Sequence, residues 1–389
     1  MAEVRITGLV KRFGDVTAVR DVELTIADGE FLTLLGPSGC GKTTTLRCLA
    51  GLETPTGGEI AIGGDTVYSA ARGVCVPPER RRVGMVFQSY ALWPHLTAGA
   101  NVGYPLRAAR MAAAERRARV AEMLKAVGLA DFAGRYPGEL SGGQQQRIAL
   151  ARAMAGHPRL MLFDEPLSNL DAKLRVGMRT AIRRLQREIG TTAVYVTHDQ
   201  EEAMALSDRV VVMSESVIQQ EGTPREVYTR PANRFVADFM GFENIFDGTV
   251  GEADATGFAF HPSPGGPPLR VAGPPPGPSG SAVEVAVRAA HVRVVPGGAA
   301  GEEPGVRRAV VRDAVYLGGR TELTVDAEGL PITVSVPHGP GAGHAYAPGD
   351  GHEDDGVRVP GTGERIAVTL SAGHAVVLGM AGISAGVAA

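Results

Sequence analysis

The chain reads as an α/β domain followed by a small all-β domain, and three observations predict that architecture. A glycine loop, Gly36-Pro37-Ser38-Gly39-Cys40-Gly41-Lys42-Thr43, stands between an apolar run and a helical pattern. Several further apolar runs end in polar residues, as buried parallel strands do where they meet one sheet edge. After Gly241 glycine and proline rise, helical patterns vanish, and short β-rich runs with turn signals take over.

The first run, Glu30 to Leu35, is bounded by turn signals and reads as a buried strand. Thr44 to Ala50 reads as a helix stopped by Gly51. The loop between them fits G-x-x-x-x-G-K-[ST], a cradle in which glycines let backbone N–H groups converge on phosphate oxygens. Lys42 supplies a point charge for the β- and γ-phosphates, and the Thr43 hydroxyl suits Mg²⁺. The helix N-terminus behind the loop also favours an anion.

Further along, Val83 to Phe87 ends in Gln88. The stretch from about Ser89 to Ala155 interrupts the strand pattern; Val120, Met123, Leu124 and Val127 have helical spacing with a stop at Gly128. Within it, Leu140-Ser141-Gly142-Gly143-Gln144 is a second loop that presents N–H groups at a helix start. The only tryptophan, Trp93, fits either core packing or the wall of a docking groove. Leu160 to Phe163 delivers Asp164 and Glu165 to the sheet edge. There Asp164 suits a Mg²⁺ contact, and Glu165 can polarise an attacking water, a role that contributes about 10²–10⁴-fold. Asp171 closes Leu167 to Leu170, and His198 ends Ala193 to Thr197, placed to sense a γ-phosphate.

Together these residues resemble an ATP-binding cassette (ABC) transporter ATPase, of the importer subfamily with a transport-associated OB-like domain at its C-terminus. The resemblance runs nearly continuously from residue 1 to about 245. It implies that ATP and Mg²⁺ are bound through the Walker A loop, with Thr43, Gln88 and Asp164 on the metal. It casts Glu165 as base, Gln88 as the Q-loop glutamine and His198 as the switch. Gly36 to Thr44, Phe13 as the adenine-stacking ring, Ser141, Gly142, Gly143 and Gln144 of the signature loop, and Asp171 of the D-loop complete the nucleotide contacts.

In the family the signature loop completes the partner's site, so the resemblance implies a homodimer. It also implies integral-membrane permease subunits, an extracytoplasmic solute-binding protein reached indirectly, and a place on the cytoplasmic face of the membrane. The rival readings are an exporter ATPase and a soluble ABC ATPase acting on nucleic acid. The barrel inclines the solute toward iron or polyamine. The sequence departs from the family at four places. Phe13 replaces the usual Tyr, Ala100 precedes Asn101 where Glu is common, and Glu215-Ser216 replaces Asp-Gly. Arg288-Ala289-Ala290 replaces Arg-Pro-Glu.

The 389 residues accommodate two or three domains: a cassette over 1–241 with a helical arm over about 89–155, then an OB-like barrel over 242–389. Strands are expected at Val283–Val287, Val310–Tyr316, Leu323–Val325, Ile332–Val336 and Ile366–Leu370. Tyr316-Leu317-Gly318, then Thr321-Glu322, strengthens the OB-like reading. Pro262 to Gly280 is expected to be a loose loop without a packed core. His338 to Gly363 carries His344, Asp350, His352, Glu353, Asp354 and Asp355, which fit a solvated insertion or a metal site. A net charge of −3 and the lack of aromatic-basic interleaving argue against nucleic-acid binding. The N-terminus lacks a signal-peptide pattern, and no run reaches ~18 apolar residues. Cys40, Cys48 and Cys75 have no metal spacing and suit a reducing compartment.

Overall fold

The computed structural model describes residues 2–263, 265–295, 306–338, 359–370 and 372–378. The chain falls into two compact units, Met1–Val227 and Tyr228–Ala389.

The first unit is built on a six-stranded sheet. Its order is Val217–Gly222, Arg209–Ser214, Phe31–Leu35, Thr192–Thr197, Leu160–Asp164 and Val83–Val86. All neighbours are parallel except the edge strand Val217–Gly222. Phe31–Leu35, Thr192–Thr197 and Leu160–Asp164 are buried at every position, which is why they read as unbroken apolar runs. Their side chains alternate between two cores. Phe31, Phe163 and Tyr195 cluster on one face, with ring centroids 5.8–6.2 Å apart. Leu32, Leu34, Leu160, Leu162, Val194 and Val196 serve the other.

The first face packs against the helices of the arm, Ala98–Ala108, Ala113–Ala126 and Gly142–Ala155, and against Ala172–Ile189. The second packs against the phosphate-loop helix Lys42–Ala50 and an antiparallel sheet that sequence reasoning missed. That sheet runs Val16–Ile26, Val4–Phe13, Gly57–Ile62, Asp65–Ser69, Val74–Cys75. Within the arm, Met123, Leu124 and Val127 are buried, as their spacing predicts, and Gly128 takes a left-handed φ of 69° beyond the helix end.

The hairpin at Glu215-Ser216 needs left-handed backbone at both residues, with φ of 49° and 68°, and does so without glycine. Contacts to the neighbouring strand hold it: Ser216 Oγ donates to the Thr17 carbonyl at 2.8 Å, and the Ser216 carbonyl accepts from Arg20 N–H at 2.9 Å.

The second unit holds two five-stranded antiparallel sheets. One is ordered Leu269–Ala272, Gly257–Pro262, Asn244–Asp254, Ala282–Val287, Val376–Leu378. The other is Val292–Val295, Arg365–Leu370, Val306–Tyr316, Arg320–Ala327, Leu330–Pro337. One core, including Phe258, Phe260, Val285, Leu323 and Val368, lies between them, as an OB-like barrel requires. The expected loose loop from Pro262 to Gly280 needs correction. Leu269–Ala272 is a strand paired with Gly257–Phe260, and Leu269 and Val271 are buried. A period-2 pattern of only four residues, Leu-Arg-Val-Ala, suffices because its neighbour supplies the ladder.

Arg288 donates to the carbonyls of Met240, Gly241 and Tyr228 at 2.7–3.0 Å, and its guanidinium lies over the rings of Tyr228 and Phe242. The candidate metal-binding residues His344 to Asp355 lie outside the described residues. Among the described residues no helix is long and apolar enough to cross a membrane.

Candidate nucleotide site

Strand register brings the predicted site together. Val196 pairs with Leu34 on one side and with Asp164 on the other. The phosphate loop begins two residues after Leu34, His198 lies two residues after Val196, and Glu165 follows Asp164 directly. Val86 pairs with Phe163, so Gln88 leaves the same edge. One carboxyl end therefore collects the loop, both acids, the histidine and the glutamine.

In the loop, Gly39 and Gly41 have φ of 83° and 101°. A Cβ at Gly41 would collide with the carbonyl oxygen of Ala18, so this turn admits only glycine. Lys42 is buried and donates Nζ to the carbonyls of Gly36 and Pro37, each at 2.8 Å, across the concavity of its own loop. Thr43 Oγ1 donates to Asp164 Oδ1 at 3.0 Å, and Arg47, one turn further along the helix, puts Nη2 3.6 Å from Asp164 Oδ2. Burial pushes the Asp164 carboxyl above its ordinary pKa, against the pull of Thr43 and Arg47.

Glu165 departs from ordinary backbone geometry. Its φ is 44°, although it is neither glycine nor a β-turn asparagine. Such a conformation costs about 1–3 kcal/mol and persists only where neighbours impose it. Here Glu165 N–H donates to Val196 O at 3.1 Å, and its carbonyl accepts from Ser168 Oγ at 3.0 Å. The twist turns the Glu165 side chain off the strand and sets Oε2 3.2 Å from His198 Nδ1. Glu165 and His198 share a small polar cavity of about 80 Å³ with Ser168, Arg175, Thr197, Asp199 and Glu202.

Other predicted residues stand apart. Gln88 is exposed; its carbonyl accepts from Asn169 Nδ2 at 2.9 Å, and among the described residues its side chain makes no hydrogen bond. Asp171 N-caps the helix Ala172–Ile189, accepting from Leu174 N–H at 2.9 Å. Ser141 caps Gly142–Ala155 in a reciprocal box with Gln144. The first N–H groups of that helix, from Gly142 and Gly143, have no intrahelical partner. No hydrogen bond among the described residues joins this signature loop to the phosphate loop. Phe13, 47% exposed, ends its strand with Lys11 Nζ 4.4 Å from its ring centre.

Sequence reasoning missed Arg47, Arg175, Asp199 and Glu202. Arg47 was within reach of it, since i, i+4 spacing from Thr43 puts it on the same helix face. Asp199 and Glu202 carry the D-x-x-E spacing of a helix start.

Fold and loop define the class: a phosphate-loop nucleotide-binding protein with an appended antiparallel β domain. Family comparison gives the same answer at finer grain. Residues 19–168 match the ABC transporter family and residues 285–353 the TOBE domain. The chain is 46% identical to the spermidine/putrescine import ATP-binding protein of Rubrobacter xylanophilus, over 97% of this chain and 93% of that one. It is 50% identical to the Fe(3+) ions import ATP-binding protein of Agrobacterium fabrum, over 82% and 86%. It is 53% identical to the trehalose/maltose import ATP-binding protein of Thermococcus litoralis, over 65% and 68%. A solved dimeric ATP-binding cassette, in a post-hydrolysis state with ADP and Pi, matches 57% of this chain and 99% of its own at 36% identity and TM-score 0.50. The chain belongs to the ABC transporter family, among its ATP-binding import subunits.

Proposed function

We propose that two copies of this chain bind and hydrolyse ATP and so energise solute import through a membrane permease. The observation that carries this reading is the shared register of Leu34, Val196 and Asp164, which collects cradle, acids and switch at one edge. In the proposed division, residues 1–241 form the cassette, with its arm over 89–155, and 242–389 the regulatory β domain.

Each role follows from a position already described. With ATP present, Lys42 exchanges its two carbonyl partners for phosphate oxygens, and the loop N–H groups close on the same phosphates. Thr43 and Asp164 form a hard-oxygen pair 3.0 Å apart, a donor set that fits Mg²⁺, and Gln88 approaches from the neighbouring strand. Bound there, the ion neutralises charge on the transferring phosphoryl group. Glu165 accepts the proton of the attacking water. His198, 56% exposed at its side chain, holds the γ-phosphate on the other side.

The exposed start of Gly142–Ala155, with Ser141 and Gln144, faces the second copy's nucleotide, and Asp171 lies between the two sites. Phe13 stacks on adenine. Support for dimers comes from the solved cassette, which is described as dimeric. A groove of about 480 Å³ on the arm, walled by Leu96, Gly103, Tyr104, Val120 and Leu124, suits a permease helix. Half-buried Trp93 backs Tyr104, with ring centres 4.1 Å apart. The protein then works on the cytoplasmic face, and an external binding protein delivers the solute to the permease. Relatives that match over 82–97% of this chain are named for import of spermidine/putrescine, Fe(3+) ions and sn-glycerol-3-phosphate, whereas the trehalose/maltose relative matches over 65%, which supports the polyamine or iron type over the sugar type.

Reconstitution of the chain with its genomically adjacent permease in vesicles tests the proposal. ATP-dependent uptake of labelled spermidine or ferric iron is expected. ATPase activity that no permease stimulates would overturn the import role.

A further inference from the structure

His198 sits in the middle of a closed ring of hydrogen bonds. Thr197 Oγ1 donates to Glu202 Oε2 at 2.8 Å and accepts from Asp199 N–H at 3.0 Å. Asp199 Oδ1 accepts from Glu202 N–H at 3.0 Å, which closes the ring around the His198 backbone. The ring is anchored below, because Tyr195 Oη also donates to Glu202 Oε2 at 2.8 Å. Glu202 is only 3% exposed and Tyr195 is fully buried, so neither bond competes with bulk water.

This arrangement differs from what the D-x-x-E spacing ordinarily does. In a capping box the Glu side chain would reach back to the Asp199 N–H. Here Thr197 takes that N–H, and the Glu202 carboxylate turns inward under the strand end instead. A helix start that needed only a cap would not bury its acid. Arg175 then ties the ring to a second loop. Its Nη1 lies 3.5 Å from Asp199 Oδ2, and its Nη2 donates to the Leu170 carbonyl at 3.1 Å. Leu170 directly precedes Asp171, so one guanidinium spans the D-loop and the histidine turn.

We propose that Glu202 is a positioning residue for His198, and that the Arg175–Asp199 pair makes the histidine's placement depend on the D-loop. The inference rests on the ATPase reading above. Burial raises the Glu202 pKa and the two hydroxyl bonds oppose that shift; Asp199 and Arg175 are the charged groups that act on it. Among the described residues the Glu202 carboxylate bonds to Tyr195 and Thr197 and not to Glu165 or the His198 ring; it acts through the backbone of His198.

Steady-state ATPase kinetics on Glu202→Ala, Glu202→Gln, Thr197→Val and His198→Ala, alone and as doubles with His198→Ala, test it. Glu202→Ala is expected to lower kcat by about tenfold or more with KM for ATP within about twofold. Glu202→Gln keeps a carbonyl acceptor and is expected to restore most of kcat. On the His198→Ala background, Glu202→Ala is expected to cost nothing further, because its effect passes through the missing ring. Equal losses on both backgrounds would overturn the proposal, as would a KM effect without a kcat effect. Should Glu202→Ala fail to fold, Thr197→Val, which opens the ring and conserves volume, carries the same cycle. A His198→Ala protein of normal activity would instead overturn the role given to His198 under the ATPase reading. The two failures are therefore distinct.

Discussion

Glu165 Oε2 and His198 Nδ1 lie 3.2 Å apart, joining the ends of two adjacent parallel strands. Neither residue reaches the other by ordinary strand geometry. Glu165 gets there through a left-handed φ of 44°, and His198 through a turn locked by Thr197, Asp199 and Glu202. Under the proposed mechanism the γ-phosphate and its attacking water bind between these two side chains, so nucleotide binding is expected to part them.

Glu165→Gln removes the proposed proton acceptor and keeps the shape. Turnover is expected to fall by at least about 10²-fold, the lower end of what a general base supplies. ATP should still bind, and the unhydrolysed nucleotide should hold two copies together. Size-exclusion chromatography with ATP and Mg²⁺ is expected to show a dimer of the variant. Wild-type-like ATPase activity would remove Glu165 from the role of base.

Asp164 trades stability for function. Its pKa is raised in the folded protein, so the folded state holds the proton more tightly than the unfolded chain does. The nucleotide-free protein therefore loses stability as pH rises from the ordinary carboxylate value through the raised one. Asp164→Asn removes that dependence, and is expected to raise the nucleotide-free Tm at neutral pH by about 1–3 °C. The same variant should lose the thermal shift caused by Mg²⁺ and ATP, which for a ligand at 100 Kd is about 2.7 kcal/mol. An unchanged Tm together with a retained Mg²⁺–ATP shift would contradict both halves.

The three thiols should separate cleanly. Burial pushes Cys48 up to about 12, whereas Cys75 is exposed. Only a thiolate reacts, so a disulfide reagent near pH 8 is expected to modify Cys75 promptly and Cys48 only on unfolding. Cys40 is buried inside the phosphate loop, with Sγ 3.7 Å from Lys42 Nζ. ATP should slow its modification. Mass spectrometry of the labelled peptides would read each site, and early labelling of Cys48 would contradict its burial.

Much of the site was legible because its strands are buried on both faces. A run such as Leu160 to Phe163 announces both itself and the acids that follow it. Gly36 to Thr43 was legible because its backbone contacts demand glycine at fixed offsets, Gly41 against Ala18 among them. The antiparallel sheet over Val4–Ser69 was not, since its strands alternate with polar residues and several pair through irregular register. Leu269–Ala272 was hidden by the surrounding proline and glycine. Glu202 was hidden for another reason: its spacing matches an ordinary helix cap, and only the fold shows that the side chain turns inward.

Asn101 supports the wall of the arm groove, and the sole tryptophan reports on it. The side chain is fully buried, with Nδ2 donating to the carbonyls of Trp93, Leu96 and Thr97 at 3.0–3.1 Å, and Oδ1 accepting from Trp93 N–H at 2.9 Å. One amide thus replaces the secondary structure that residues 93–97 lack. Asn101→Ala leaves the Trp93 N–H and the Leu96 carbonyl without these partners, and is expected to cost about 2–4 kcal/mol. Asn101→Asp keeps the acceptor but loses the donors and adds a charge, so it should be no milder. Trp93 packs at a tilt against Tyr104, ring centres 4.1 Å apart, with the Arg152 guanidinium 5.0 Å from its ring. Loosening its backbone should shift its emission to longer wavelength before global unfolding, and urea melts followed by fluorescence should move ahead of those followed by circular dichroism. Coincident melts with unchanged emission would mean that the Trp93 segment is held by its ring contacts alone. Because, among the described residues, the Asn101 side chain bonds only to Trp93, Leu96 and Thr97 and to none of Lys42, Asp164 and Glu165, nucleotide affinity should be preserved while stimulation by the permease is lost.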